Sequence, residues 1–228
     1  MNRTCELFKE RKSEIEFYYS ILVKIAAPDS TIETVDNHRF AKILKSNFLL
    51  MLYNLIESCV RSGFEDIYSA VKNSGEPYPS VAEELRDIWS NYEISKAHKD
   101  TANRQTYGKR VKEIIEQVIS SNPLVITRDA LDISGNLDAR QIRTLLDVHK
   151  ISFSESAQGD KNNILTVKNK RNALAHGDEA FGEAARELTI DDLENIKDEV
   201  FIFIGDVLRG MTDYYNAKKY LYTTQNRK

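Results

Sequence analysis

The chain has 228 residues, and 32 Lys plus Arg against 35 Asp plus Glu leave a net charge of −3, with 41% of residues hydrophobic. That balance fits a folded globular chain, long enough for a sizeable core, and excludes disorder and nonspecific coating of DNA while leaving room for a local basic site. Nine Gly and four Pro are too few for the turn needed roughly every 8–12 residues in a sandwich or barrel, so long helices are expected.

In chain order, Leu7, Phe8, Ile15, Tyr18, Tyr19, Leu22 and Ile25 recur at helical spacing, predicting a helix over Thr4–Ala27, with Pro28-Asp29-Ser30 as its stop. Arg39–Asn73 is the most apolar segment, and its centre, Phe48 to Ile56, predicts a helix buried on most sides. Ser80 and Glu83 form a capping-box pattern for a third helix through Tyr92. Ser95–Tyr107 is polar and reads as a loop. A fourth helix is expected from Gly108 to Ser120, stopped by Asn122-Pro123. Leu124–Thr127 could be one extended piece. Ser134-Gly135-Asn136 offers a turn and N-cap for a fifth helix, Leu137–His149, and Ser152–Lys161 reads as a loop. The sixth helix spans Lys161–His176 with Gly177 ready to close it, and Thr189 with Asp192 opens the last, Ile190 to about Tyr220. The fold class is therefore all-α: one antiparallel bundle of about seven helices over 1–228, in which 95–151 could be an inserted or appended lobe.

Other classes fall away. The longest strictly apolar run, Phe48–Tyr53, is too short to cross a bilayer, and Met1–Glu6 has no signal-peptide pattern. Cys5 and Cys59 make neither a disulfide framework nor a zinc quartet, so a reduced, cytoplasmic protein without a membrane partner is expected. His38, His98 and His149 share no ligand spacing and read as surface or structural residues; no metal or other cofactor is expected.

The sharpest feature is Lys168-Asn-Lys170-Arg171-Asn172-Ala-Leu-Ala-His176-Gly177. Ile164, Val167, Leu174 and Ala175 form an apolar stripe, and Arg171, four residues after Val167 and three before Leu174, projects from it. An arginine there must be paired, or must line an interface or cavity. Asn172 and His176 are four apart, so the three side chains can converge within one and a half turns. Imidazole can take a proton from a hydroxyl and return one to a leaving oxygen, while guanidinium holds phosphate oxygens as charge builds. With the 2′-OH of RNA as nucleophile, no metal is required. Lys161, Lys168, Lys170 and Arg171 give a stretch with four cations and no acid, a local footprint for an RNA backbone. On the buried helix, Asn47, Asn54, Glu57 and Arg61 make a polar stripe that we expect to face the Arg171/His176 helix, with Glu57 orienting a cation there; alternatively Glu57–Arg61 is an ordinary i,i+4 pair and Asn54 a core hydrogen bond.

Arg171-Asn172-x-x-x-His176 resembles the signature of the HEPN superfamily, helical proteins that include many metal-independent ribonucleases. The opening Phe8–Tyr18, Leu52–Ser58, Ser134–Arg140, Leu165–Gly177 and the long final helix are also similar to one HEPN-like nuclease subfamily. The resemblance implies a homodimer whose two motifs face each other across a cleft. It implies an endoribonuclease leaving a 2′,3′-cyclic phosphate and a 5′-OH, acting as a toxin or in anti-phage defence with a neutralising partner. Arg171 would stabilise the phosphate, His176 would be the acid/base and Asn172 a supporting group; Lys168 and Lys170 would bind RNA, with Glu57 and Asn54 behind the site. One subgroup carries a tyrosine shortly after the histidine, which its antitoxin modifies; Gly177–Phe181 contains none. The alternative is a HEPN-like module that binds RNA, nucleotide or protein without cleaving.

Overall fold

The computed structural model describes residues 1–27, 36–99, 104–131, 133, 135–154 and 162–222. It contains α1 (Asn2–Ala26), α2 (Asn37–Ser74), α3 (Glu83–Lys99), α4 (Arg104–Ile119), α5 (Ala139–Val148), α6 (Asn162–His176) and α7 (Ile190–Asn216), with single turns at Tyr78–Ser80 and Arg128–Ala130. Among the described residues there is no strand, only the isolated bridges Pro77–Pro123 and Val81–Leu221. The all-α expectation holds.

α2 is the axle of the bundle. Phe48, Leu49, Leu52, Tyr53, Leu55, Ile56, Cys59 and Val60 are all inaccessible, because α1, α6 and α7 cover different sides of the helix. By length and composition α2 could span a bilayer, although half of its most apolar window is buried inside the molecule. α1 contributes Ile15, Tyr19, Leu22 and Ile25 at helical spacing. α7 contributes Leu193, Val200, Phe203, Ile204, Val207 and Met211, and its start is fixed by the expected capping box: Thr189 Oγ1 accepts from Asp192 N, and Asp192 accepts from Thr189 N.

The middle of the chain departs from the periodicity reading. α3 runs past Tyr92 to Lys99, because Ala97 lies eight residues after Trp89 on the same face and is buried with it. Most of the polar stretch read as a loop is thus helix: the end of α3 and the start of α4, which already begins at Arg104. α5 is capped not from Ser134, which lies outside the described residues, but by Asp138, whose Oδ1 accepts from Gln141 N at 3.0 Å. α7 stops at Asn216, and Tyr220 still reaches the core beyond its end. Pro28-Asp29-Ser30 and most of Ser152–Lys161 also lie outside the described residues.

Candidate functional site

α6 lies against α2 and α7 through Ile164, Val167 and Leu174. Ala175, expected on the same stripe, is exposed, since one residue beyond Leu174 the helix has rotated by about 100°. Arg171 keeps its expected place on the inner stripe and is partly buried. Its guanidinium lies 4.7 Å from the ring centre of Tyr53, a fully buried residue of α2. Such a cation–π contact holds the charge without neutralising it.

The segment leading into α5 grips the same face of α6 at three points. Arg171 Nη1 donates to the Gly135 carbonyl at 3.1 Å and to Asn172 Oδ1 at 3.0 Å. Asn172 Nδ2 donates to Asn136 Oδ1 at 2.6 Å, and Lys168 Nζ pairs with Asp138 at 3.2 Å. Gly135 has φ 66°, a left-handed conformation that leaves its carbonyl free to meet Arg171, and an added Cβ would stand 3.5 Å from the guanidinium. Tyr53 braces both sides: its ring carries Arg171 and its hydroxyl accepts from Leu137 N at 3.2 Å. Burial raises the Tyr53 pKa. For Asp138, burial works upward, but hydrogen bonds from Gln141 N and Lys168 outweigh it and hold the carboxyl below its ordinary value.

Arg171 lines an open groove of about 450 Å³ together with Arg11, Asn54, Glu57, Ser58 and Arg61. The polar stripe of α2 therefore does face Arg171, but its members divide. Glu57 Oε1 accepts from Arg61 at 2.6 Å, so its direct cationic partner is on its own helix. Asn54 is exposed in the groove rather than a core hydrogen bond, and Asn47 points instead to the Tyr18 hydroxyl. Lys168 and Lys170 do not line the groove; each is paired with a carboxylate, Lys170 with Glu179 at 3.0 Å. Lys161 lies outside the described residues.

His176 closes α6. Gly177 follows at φ 77°, Gly177 N donates to Leu174 O, and Asp178 N donates to Ala173 O at 2.9 Å, a Schellman ending. The imidazole is exposed, and no side-chain partner for it falls among the described residues. It stands five residues after Arg171, about 140° around the helix and about 7.5 Å along it. Within one chain it does not enter the Arg171 groove. Arg171 and Asn172 are thus brought together by a direct hydrogen bond, while His176 is exposed and does not line the groove.

Spacing arguments missed the three residues that do the gripping, Gly135, Asn136 and Asp138. Their signal was present, in that a Gly-Asn-x-Asp run precedes α5, but only as a turn and a cap. Arg11 lies in the Phe8–Tyr18 segment that carries part of the resemblance, but spacing did not single it out among the many charges on α1.

A family model described as MAE_28990-like HEPN matches residues 4–220. No curated protein and no solved structure matches the chain. The family match begins in the first turn of α1 and ends beyond α7, so it takes in every helix that frames the Arg171 groove: the chain belongs to the HEPN family.

Proposed function

We propose that this HEPN chain is a metal-independent endoribonuclease. One observation carries the reading. Arg171 is held in fixed geometry over Tyr53 and by neutral acceptors, with no carboxylate among the described residues to neutralise it. A preorganised guanidinium without an ion pair of its own, in a groove whose one carboxylate, Glu57, is paired with Arg61, suits a phosphodiester as negative charge builds on its oxygens. The same helix offers an exposed imidazole.

In the proposed reaction, imidazole takes the proton of a ribose 2′-OH, whose oxygen attacks the adjacent phosphorus. The bond to the 5′ oxygen breaks, and that oxygen leaves after receiving a proton from an acid, giving a 2′,3′-cyclic phosphate and a 5′-OH. Arg171 stabilises the phosphorane-like transition state, and Asn172 fixes the guanidinium. Because His176 and Arg171 of one chain do not share a groove, the reading includes a two-fold dimer in which each motif completes the other. A toxin or anti-phage role in the cytoplasm, restrained by a partner protein, belongs to the same proposal.

The geometry of a single chain gives the rival its support. With His176 outside the groove, a monomer would bind phosphate without cleaving, as a HEPN binding module. The two separate in one assay: wild type and His176→Ala against matched ribose and deoxyribose oligonucleotides in EDTA, with light scattering on the same samples. Cleavage of ribose strands only, lost in the variant, with a dimeric mass, is the expected result. Binding without cleavage by a monomer would favour the rival. Growth arrest on expression, relieved by His176→Ala, is the expected cellular counterpart.

A further inference from the structure

The Arg171 groove does not end at Arg171. Its lining is Arg11 from α1, Asn54, Glu57, Ser58 and Arg61 from α2, and Arg171 from α6, without one apolar side chain. Arg61 also lines the neighbouring cleft, of about 440 Å³, whose other walls are Arg128, Asp129, Leu131 and Ile133. Arg61 therefore stands at a junction, with Arg171 on one side and Arg128 on the other. Both outlying guanidiniums lie beside carboxylates: Arg61 donates to Glu57 at 2.6 Å, and the more exposed Arg128 lies 3.1 Å from Glu65 as an ion pair without a hydrogen bond. The hydrogen-bonded pair orients Arg61, and both guanidiniums keep N–H donors for another acceptor.

We propose that Arg61 and Arg128 are phosphate-binding residues for the nucleotides flanking the one held at Arg171, so that the two clefts form the track of a single RNA strand. This rests on the nuclease reading and extends it from the reacting phosphate to its neighbours. The chemistry of the lining favours a nucleic-acid backbone over a protein segment. A docked helix needs apolar anchors at its i, i+3 and i+4 positions, and the Arg171 groove offers none. A strand needs a succession of donors for its phosphates and, beside them, a surface for a base. The partly exposed Ile133, backed by the buried Leu131, supplies a small apolar surface next to Arg128. The chain is acidic overall, so four arginines (Arg11, Arg61, Arg128 and Arg171) against two carboxylates (Glu57 and Asp129) along one path are a local departure from its average charge.

The test uses the full chain carrying His176→Ala, so that RNA is bound and not consumed, and a labelled twelve-nucleotide single-stranded RNA titrated across a salt series. Adding Arg61→Gln or Arg128→Gln should weaken binding several-fold and reduce the slope of log K against log salt by about 0.7 for each arginine lost. A dinucleotide should lose much less affinity than the twelve-mer in the same variants. Arg61→Lys keeps the charge and should keep most of the slope, which a packing defect would not do. Unchanged affinity and slope in Arg61→Gln and Arg128→Gln, with cleavage intact in the chain bearing His176, would overturn the track and leave the nuclease reading standing. Absence of both RNA binding and wild-type cleavage would remove the two together. Displacement of the RNA by a short polyglutamate peptide that binds more tightly would assign the groove to a protein partner instead.

Discussion

Two histidines close two helices in the same local geometry. His149 caps α5 and His176 ends α6, and behind each the chain turns through a left-handed residue, Lys150 at φ 54° and Gly177 at φ 77°. Each turn is a Schellman motif: Lys150 N donates to Asp147 O and Ile151 N to Leu146 O in one, Gly177 N to Leu174 O and Asp178 N to Ala173 O in the other. The difference lies one residue further on. Ile151 is only 3% exposed and drags its turn into the core, whereas Asp178 stays in solvent. His149 is consequently buried at 2% exposure. Its Nδ1 donates to Leu145 O at 2.7 Å and its Nε2 lies 2.8 Å from the Tyr68 hydroxyl, so the neutral ring accepts from that tyrosine. Among the described residues, the exposed His176 imidazole has no side-chain partner. The type of residue after the turn, not the histidine or its cap, decides which ring is structural and which is available for chemistry.

The largest effect expected from breaking this comparison is on His176. His176→Ala should lower cleavage by about 100- to 10,000-fold. Its thermal midpoint should stay within about 2 °C of wild type, because the ring is exposed and only a surface side chain is lost. Arg171→Ala should follow, with about 100- to 1,000-fold less cleavage. It should also cost some stability, since Gly135, Asn172 and Tyr53 all lose a partner. His149 should show the reverse pattern. His149→Ala leaves the Tyr68 hydroxyl unpaired beside a cavity and should cost about 3 kcal/mol in urea unfolding.

The same residue gives a pH signature. Burial drives the His149 pKa down from 6.5 to about 4. Between those values the unfolded chain binds a proton that the folded chain refuses, so stability rises with pH there. The contribution is complete above about 6.5 and is lost as pH falls towards 4, roughly 3 kcal/mol across the window. His149→Gln should flatten unfolding free energy over that range, whatever its cost at pH 7.

Smaller effects sharpen the view of the α6 face. Asn136→Ala removes the acceptor that fixes Asn172 and should cost about tenfold in turnover, roughly 1.4 kcal/mol, with RNA affinity less affected. Asp138→Ala removes both the α5 cap and the partner of Lys168, and should lower stability by about 1 kcal/mol in thermal or urea unfolding.

Much of this architecture was legible in the residues. The seven helices follow from apolar spacing, and the Thr189–Asp192 box and Gly177 mark helix ends by local chemistry alone. Arg171 could be placed on the inner face of α6 because its neighbours at i−4 and i+3 are apolar and buried. The α3–α4 region was harder to read, since Ala97 is a weak hydrophobic signal inside a charged stretch and only its tertiary contact reveals it. The gripping of α6 by Gly135, Asn136 and Asp138 joins segments thirty or more residues apart, and no periodicity encodes such a contact. Nor does spacing tell which way a terminal histidine turns, since that depends on where the next residue is buried.

α2 also shapes how the chain comes to exist. Its apolar flanks are completed by α7, and about 115 residues separate Ser74 from Ile190. At ribosomal rates of about 5–20 residues per second, α2 waits roughly 6–23 s for that partner. During synthesis its greasy flanks stay uncovered, a stretch in which chaperones have something to hold. The delay has a second side. Arg171 sits on α6, which also leans on α7, so the guanidinium gains its final setting only as the last helix docks. Arg171 thus reaches its final setting only after α7 has left the ribosome.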